Sequence, residues 1–433
     1  MSQNITLEQL RKLVEEDAVA IRGRAVLEPA GGPGDKVFPP SHSVGDREAR
    51  DGAKYAFEMR RRNGNDVRCV LIDSVQSQAN RMEEALEALW TDRKLTLPVI
   101  EVDLSSAAPD VGRVTSLTAP HRVADALLRD SFVEENGDRK LFRMSNLGRS
   151  FTDASPRNAA PLFKVCPTGL VFGIWDSTGP KGGLGAKFQR ALTSEIVGIG
   201  AGAGVKTASR IDPAQMVNAA AVIYRKKVEP GSLLTWTLDP EEAEQSEKHE
   251  PLKWGSKKKE GKWVQGDGKL TTANHSNIPP TIETLAGGVT IDRAEHTVVL
   301  SLAALRRLGF AEGGSEARLV LAALGLVAVL AAESRGHDLR SRCLLVPRIK
   351  EDKKSEALAL EAVARDGSTT PLMLHLSAAL ALYKDAVTAL PEALKFDKPA
   401  GEPLATLTPS PKLARLITKS RELAAAGTDV GDE

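Results

Sequence analysis

Residues 161–199 read PLFKVCPTGLVFGIWDSTGPKGGLGAKFQRALTSEIVGI, and how this stretch divides decides the fold. Pro167 opens an apolar run, Leu170, Val171, Phe172, Ile174 and Trp175, of strand length and β-rich type. A polar loop, DSTGPKGGLG, follows with four glycines and Lys181. From Ala186 to Val197 the spacing predicts a helix: Phe188, Leu192 and Ile196 stand four apart as one buried stripe, and Lys187, Arg190 and Ser194 share a neighbouring exposed face. Strand, glycine loop and cation-bearing helix together make a cradle for phosphate, because glycines let backbone N–H groups approach closely and a helix N-terminus favours anions.

Working outward, 433 residues are enough for two or three domains or one elaborated domain. Lys plus Arg number 58 against 57 Asp plus Glu, so any anion binding rests on a local patch and not on a global field. Aromatics at 4% argue against recognition mainly by base stacking. Cys69, Cys166 and Cys343 lie far apart without CxxC spacing and read as buried free thiols. The N-terminus lacks a signal-peptide pattern. The longest apolar run, residues 319–332, falls short of the ~17–25 residues of a membrane helix. A soluble, cytoplasmic protein is expected.

Toward the N-terminus, Thr6 and Gln9 resemble a capping box. In VAIRGRAVL the apolar Ile21, Ala25 and Leu27 alternate with Arg22 and Arg24, a strand whose polar face is either a site or an ordinary solvated surface. Ser74 caps a helix with a stripe of Val75, Ala79, Met82, Leu86 and Leu89, leaving Gln76, Asn80 and Arg81 off it, exposed or available to phosphate and sugar oxygens. Pro98 to Leu104 reads as a strand, and Thr118 begins a helix carrying His121, Arg122 and Asp125. His121 and Asp125 are one turn apart, with no third metal ligand near. Arg149 falls on a polar turn. Toward the C-terminus, residues 239–280 are charged and poor in apolar side chains, with KKKEGK at 257–262, and read as an inserted arm. Residues 319–332 predict a buried helix, 344–349 a strand, and 372–385 and 411–426 closing helices.

Enzyme signatures fail in detail. Against Walker A, Lys187 follows Ala186 and Phe188 takes the hydroxyl position; GGLGA does not hold the Rossmann register. The seven histidines include no pair at metal-ligand spacing on one helix, and no G-x-S-x-G elbow occurs. No catalytic residue, metal or cofactor is expected.

SVQSQANRMEEAL, APHRVADALLRD, SNLGRSF and above all LVFGIWDSTGPKGGLGAKFQRALTSEIVGI, followed by VVLSLAALRRLGF, resemble the RAMP-superfamily backbone subunit of type I CRISPR effector complexes (Cascade), subtype U or G. The resemblance spans roughly Glu15 to Leu345. It implies an α+β, modified ferredoxin-like or RRM-type domain with large insertions and a thumb-like arm: a palm core over 1–238, the arm over 239–285, and the rest of the core with C-terminal helices over 286–433. It implies copies assembling head to tail along CRISPR RNA, beside a large subunit and a guide-end-binding subunit, with target DNA recognised through the guide and a separate helicase-nuclease recruited for cleavage.

Under that resemblance the RNA contacts are expected from Ser177, Lys181, Gly182, Gly183 and Gly185 of the loop and from Lys187 and Arg190 beyond it. Arg22, Arg24, Gln76, Asn80, Arg81, His121, Arg122 and Arg149 are expected to add to the grip. Holding the guide by its sugar-phosphate backbone leaves its bases free to pair. Two alternatives stand beside this reading. One is a metal-dependent endoribonuclease backbone subunit, as in type III complexes, with Asp239, Glu241 and Glu242 as candidate acids. The other is a purely structural subunit whose basic face meets acidic neighbours; within the chain, Arg190 is also placed to pair with Glu195.

Overall fold

The computed structural model describes residues 4–43, 54–176, 187–227, 235–259 and 261–425. The chain folds as two compact units, a large one of residues 1–204 with 288–413, and a small one of residues 205–287 with 414–433.

The large unit is built on an antiparallel sheet. Its strands are β1 (Ala18–Pro29), β2 (Phe57–Arg62), β3 (Asn65–Asp73), β4 (Leu192–Ile199), β5 (Arg293–Ser301), β6 (Leu344–Pro347) and β7 (Ala359–Ala364). Helix α1 (Val75–Thr91) lies between β3 and β4 in the chain, and α2 (Gly314–Ser334) between β5 and β6. The spatial order is β2, β3, β4, β5, β1, β6, with β7 also pairing along β1. Taken as β1–α1–β4–β5–α2–β6/β7, this is a βαββαβ unit with the fourth strand beside the first and the third between first and second. That is the ferredoxin-like arrangement, extended by the β2–β3 hairpin. The fold is α+β, as expected.

Local sequence explains the elements. Thr6 and Gln9 do form a capping box on the first helix, Leu7–Lys12. Ser74 Oγ accepts the Ser77 N–H and starts α1, which buries Ala79, Met82, Ala85 and Leu86. Helix α2 is apolar nearly all round because it is packed on most sides, against the sheet, α1 and the helix Leu376–Thr388. It has the length and hydropathy of a membrane span, yet 72% of its most apolar window is buried inside the protein. All three cysteines are free and buried.

Strand β4 corrects the expected helix at 186–197. Leu192, Ser194 and Ile196 face one side of the sheet, opposite Leu300, Val298 and His296 of β5, while Val197 and Ile199 pack with Cys69 on the other. A four-residue spacing satisfies both periods, since 192 and 196 share a face in a strand as well as in a helix. Ser194 decides between them: it is only 2% exposed and not on a solvated face. Pairing on both edges, with β3 and β5, outweighs local helical pattern. The opposite error occurs upstream, where Pro167–Phe172 is a short helix instead of a strand. Pro167 sits in its first turn, where a missing N–H costs nothing, and full burial makes it apolar on every side. Residues 118–130 form a 3-10 turn, Arg122–Ala124, and a four-residue helix, Ala126–Arg129, rather than one long helix, because the Asp125 side chain accepts the Leu127 N–H and caps a new start at Ala126. Arg149 is on the helix Asn146–Thr152, not on a turn.

A second sheet in this unit joins Ile100–Asp103, Arg113–Thr115, Ser131–Glu135 and Asp138–Leu141 with Ala405–Pro409. The small unit is a set of antiparallel ribbons: Lys206–Arg210 with Ile278–Glu283, Tyr224–Arg225 with Trp236–Thr237, and Lys257–Lys259 with Lys262–Val264. Ile223, Ala243, Leu252 and Leu270 make its small core, and the Lys257–Lys259 strand is exposed.

Gly198 reports on the packing of β4. A Cβ there would stand 2.7 Å from Ile291 Cγ2 and 2.9 Å from Val70 Cγ1, so Gly198→Ala is expected to destabilise the fold by about 1–3 kcal/mol in urea unfolding. An unchanged midpoint would contradict this strand register.

Candidate nucleic-acid interface

Beside α1 the large unit opens into a cleft of about 1110 Å³. Its lining brings together six of the residues expected from sequence: Gln76 and Asn80 on the outer face of α1, His121 and Arg122 on the 3-10 turn, and Lys187 and Arg190 just before β4. Ser177, Lys181, Gly182, Gly183 and Gly185 lie outside the described residues.

The wall is fixed by a buried ion pair. Arg122, in a left-handed backbone conformation (φ 54°), donates from Nε and Nη2 to the two carboxylate oxygens of Glu83 at 2.6 and 2.7 Å. Its Nη1 donates to the Gly173 carbonyl at 2.9 Å. Glu83 is 2% exposed. Burial pushes its carboxyl up, to about 7, and the Arg122 charge works against that. Gly173, at φ 82°, ends the Pro167–Phe172 helix; a Cβ there would meet Arg190 Cγ at 2.8 Å and Arg190 N at 3.0 Å. The chain therefore turns tightly enough to set Arg190 against the Arg122–Glu83 pair. Short strands Ile174–Trp175 and Lys187–Phe188 then bring Lys187 beside Trp175, with Nζ 5.6 Å from the ring centroid.

Charge in the cleft is unbalanced. Arg122 is matched by Glu83, Arg129 by Asp130 and the nearly buried Asp176 by Arg143. Lys187, Arg190 and Arg307 have no carboxylate partner among the described residues. Burial and the neighbouring Arg122 charge lower the Arg190 pKa, with Glu83 opposing them; guanidinium nonetheless stays charged in proteins. A half-buried cation beside a second cation is stabilised by an incoming anion. Glu195 does not serve, since it pairs with Arg60 at 2.9 Å.

The remaining expected residues lie elsewhere. Arg22 and Arg24 do project from one face of β1, but Arg22 is held by Glu361 at 2.6 Å in the neighbouring strand. Arg81 turns onto Asp73 and the Leu339 carbonyl. Arg149 is exposed but does not line the cleft. Asp125 is a turn-former: its carboxylate accepts the His121 and Leu127 N–H groups. Sequence reasoning missed Glu83, Trp175, Gln189 and Arg307. For Glu83 a signal existed, a lone carboxylate among the apolar positions of α1.

The scaffold and its cleft define a ferredoxin-like protein with a basic, amide-lined groove. Residues 21–203, fewer than half of the chain but including most of this cleft, match the family described as CRISPR-associated protein GSU0053. That part of the chain is thereby similar to CRISPR-associated proteins. No curated protein matches the chain.

Removing one member of a buried ion pair leaves the other uncompensated, at a cost of about 3–5 kcal/mol. Glu83→Gln is expected to destabilise the protein by that amount in denaturant unfolding, while Gln76→Ala, on the exposed face of the same helix, stays within about 0.5 kcal/mol. Equal effects would remove the pair from its structural role.

Proposed function

We propose that the chain is a CRISPR RNA-binding backbone subunit of a type I interference complex, of the RAMP kind and of subtype U or G. It would polymerise along the guide and hold it by phosphates and sugars. The observation that carries the reading is the clustering of Lys187, Arg190 and Arg307, cations without carboxylate partners among the described residues, in one cleft with the amides of Gln76 and Asn80. Such a surface grips a polyanion without reading its bases. The match of residues 21–203 to a CRISPR-associated family and the ferredoxin-like scaffold support the same reading.

Binding without cutting is part of the proposal. Of the acids considered for an endoribonuclease, Glu242 is engaged by Lys226 at 3.1 Å and by the Thr237 hydroxyl at 3.0 Å, and Asp239 accepts the Glu241 N–H within its own turn. Those contacts are the ordinary work of a turn. Head-to-tail copies, a large subunit, a guide-end-binding subunit and a recruited helicase-nuclease are the partners this function requires.

The test is binding of a single-stranded guide RNA across a salt series, with and without Mg²⁺. Each lost phosphate contact lowers the slope of log K against log salt by ~0.7 for a single strand. Lys187→Ala with Arg190→Ala is therefore expected to reduce it by ~1.4, equally for unrelated sequences and with no cleavage. An unchanged slope would move the RNA off this cleft, and Mg²⁺-dependent cleavage lost in Asp239→Ala would favour the nuclease.

A further inference from the structure

On the helix-covered face of the sheet, beside a cavity that shares no lining residue with the basic cleft, three side chains from one strand and the end of one helix converge. They are His296 of β5, Glu333 in the last turn of α2, and His337 just after it. Their donor atoms all lie within 4.8 Å of one another. His296 Nδ1 is 3.1 Å from Glu333 Oε1, and His337 Nε2 is 3.5 Å from Glu333 Oε2. The two imidazole rings stand edge to face, centroids 5.5 Å apart. Gly336, at φ 75°, makes the reversal that folds His337 back.

The hydrogen bonds behind His296 fix its tautomer. Gln78 Nε2 donates to the buried Asp73 carboxylate at 2.7 Å, which leaves Gln78 Oε1 as an acceptor. Ser194 donates its hydroxyl hydrogen to that oxygen at 2.8 Å. Its Oγ, 2.7 Å from His296 Nε2, is thus left to accept, and the ring proton resides on Nε2. The lone pair of Nδ1 then points into the cluster. His296 is only 3% exposed, and Nδ1 has no hydrogen-bond partner among the described residues. A nitrogen lone pair and a carboxylate oxygen 3.1 Å apart repel unless a proton or a metal cation lies between them.

We propose that His296 Nδ1, Glu333 and His337 form a binding site for a divalent transition-metal ion, with zinc the ion it fits best. Zinc takes imidazole nitrogen at ~2.0–2.1 Å and carboxylate oxygen at ~2.0–2.2 Å in a tetrahedron, whose edge is then about 3.3 Å. Both imidazole nitrogens approach the carboxylate at distances near that edge, 3.1 Å to Oε1 and 3.5 Å to Oε2, and one ligand atom from each residue lies within 4.8 Å of the other two. A cavity of about 290 Å³ adjoins the three donors and has room for a water as fourth ligand. The Asp73–Gln78–Ser194–His296 chain is the outer support that orients a ligating imidazole. The ion fastens the C-terminal end of α2 to β5, a structural duty independent of any RNA bound at the basic cleft.

The experiment uses the full chain, stripped with chelator, equilibrated with zinc, desalted and analysed for metal; cobalt is substituted in parallel. One equivalent of zinc per chain is expected, with the visible absorption of tetrahedral cobalt and a raised unfolding midpoint. Glu333→Gln and His337→Gln are expected to abolish the stoichiometric ion. Ser194→Ala, which touches no donor, is expected to weaken binding by about 10–100-fold. Zinc X-ray absorption on the unaltered protein should show two imidazole ligands, which keeps the test decisive if a variant fails to fold. No retained zinc, absorption without imidazole, or full retention in folded Glu333→Gln and His337→Gln would overturn the site.

Discussion

The cleft depends on the buried pairing of Arg122 with Glu83. Two charges removed from water must be tightly matched, and the bidentate contact with a third bond to the Gly173 carbonyl does this. The same contact ties α1 to the 3-10 turn and to the end of the Pro167–Phe172 helix. It also engages the Glu83 carboxylate, whose charge is felt at Arg190, so Lys187 and Arg190 are left without a carboxylate partner among the described residues. One structural interaction thereby leaves a local excess of positive charge along the cleft. Near-neutral net charge, +1 for the whole chain, is no obstacle, because the imbalance is local.

The two faces of the main sheet divide the work. One is covered by α1 and α2 and carries the His296–Glu333–His337 cluster between the interior strand β5 and the end of α2. The other is tied by ion pairs across strands, Arg22 with Glu361, Arg60 with Glu195 and Arg62 with Glu295. Cross-strand pairs of this sort hold register. They explain why Arg22, on the polar face of β1, is not simply open to ligand.

Legibility in the sequence followed the range of the interactions. The capping box at Thr6, the cap at Ser74, the alternation in β1 and the apolar α2 are local patterns and were readable. Residues 186–197 were not, because Phe188, Leu192 and Ile196 fit helix and strand alike, and only burial of Ser194 by Gln78 and His296 separates them. The 167–172 run failed for the converse reason: a short segment buried all round carries no period. Six of the residues expected to contact RNA line one cleft, yet the selection among them is tertiary. Arg122 is occupied by Glu83 39 positions away, while Arg307 joins the cleft from beyond β5. The histidine cluster was invisible for the same cause, since spacing along one helix says nothing about His296 on a strand.

The most direct measurement is photo-crosslinking of guide RNA in the complex assembled on it, with the modified peptides located by mass spectrometry. Crosslinks concentrated on Trp175, on Lys187 to Arg190 and on Gln76 to Asn80 are predicted, since these line one cleft. Crosslinks confined to the Arg22 and Arg24 face, with the cleft peptides unmodified, would contradict the account.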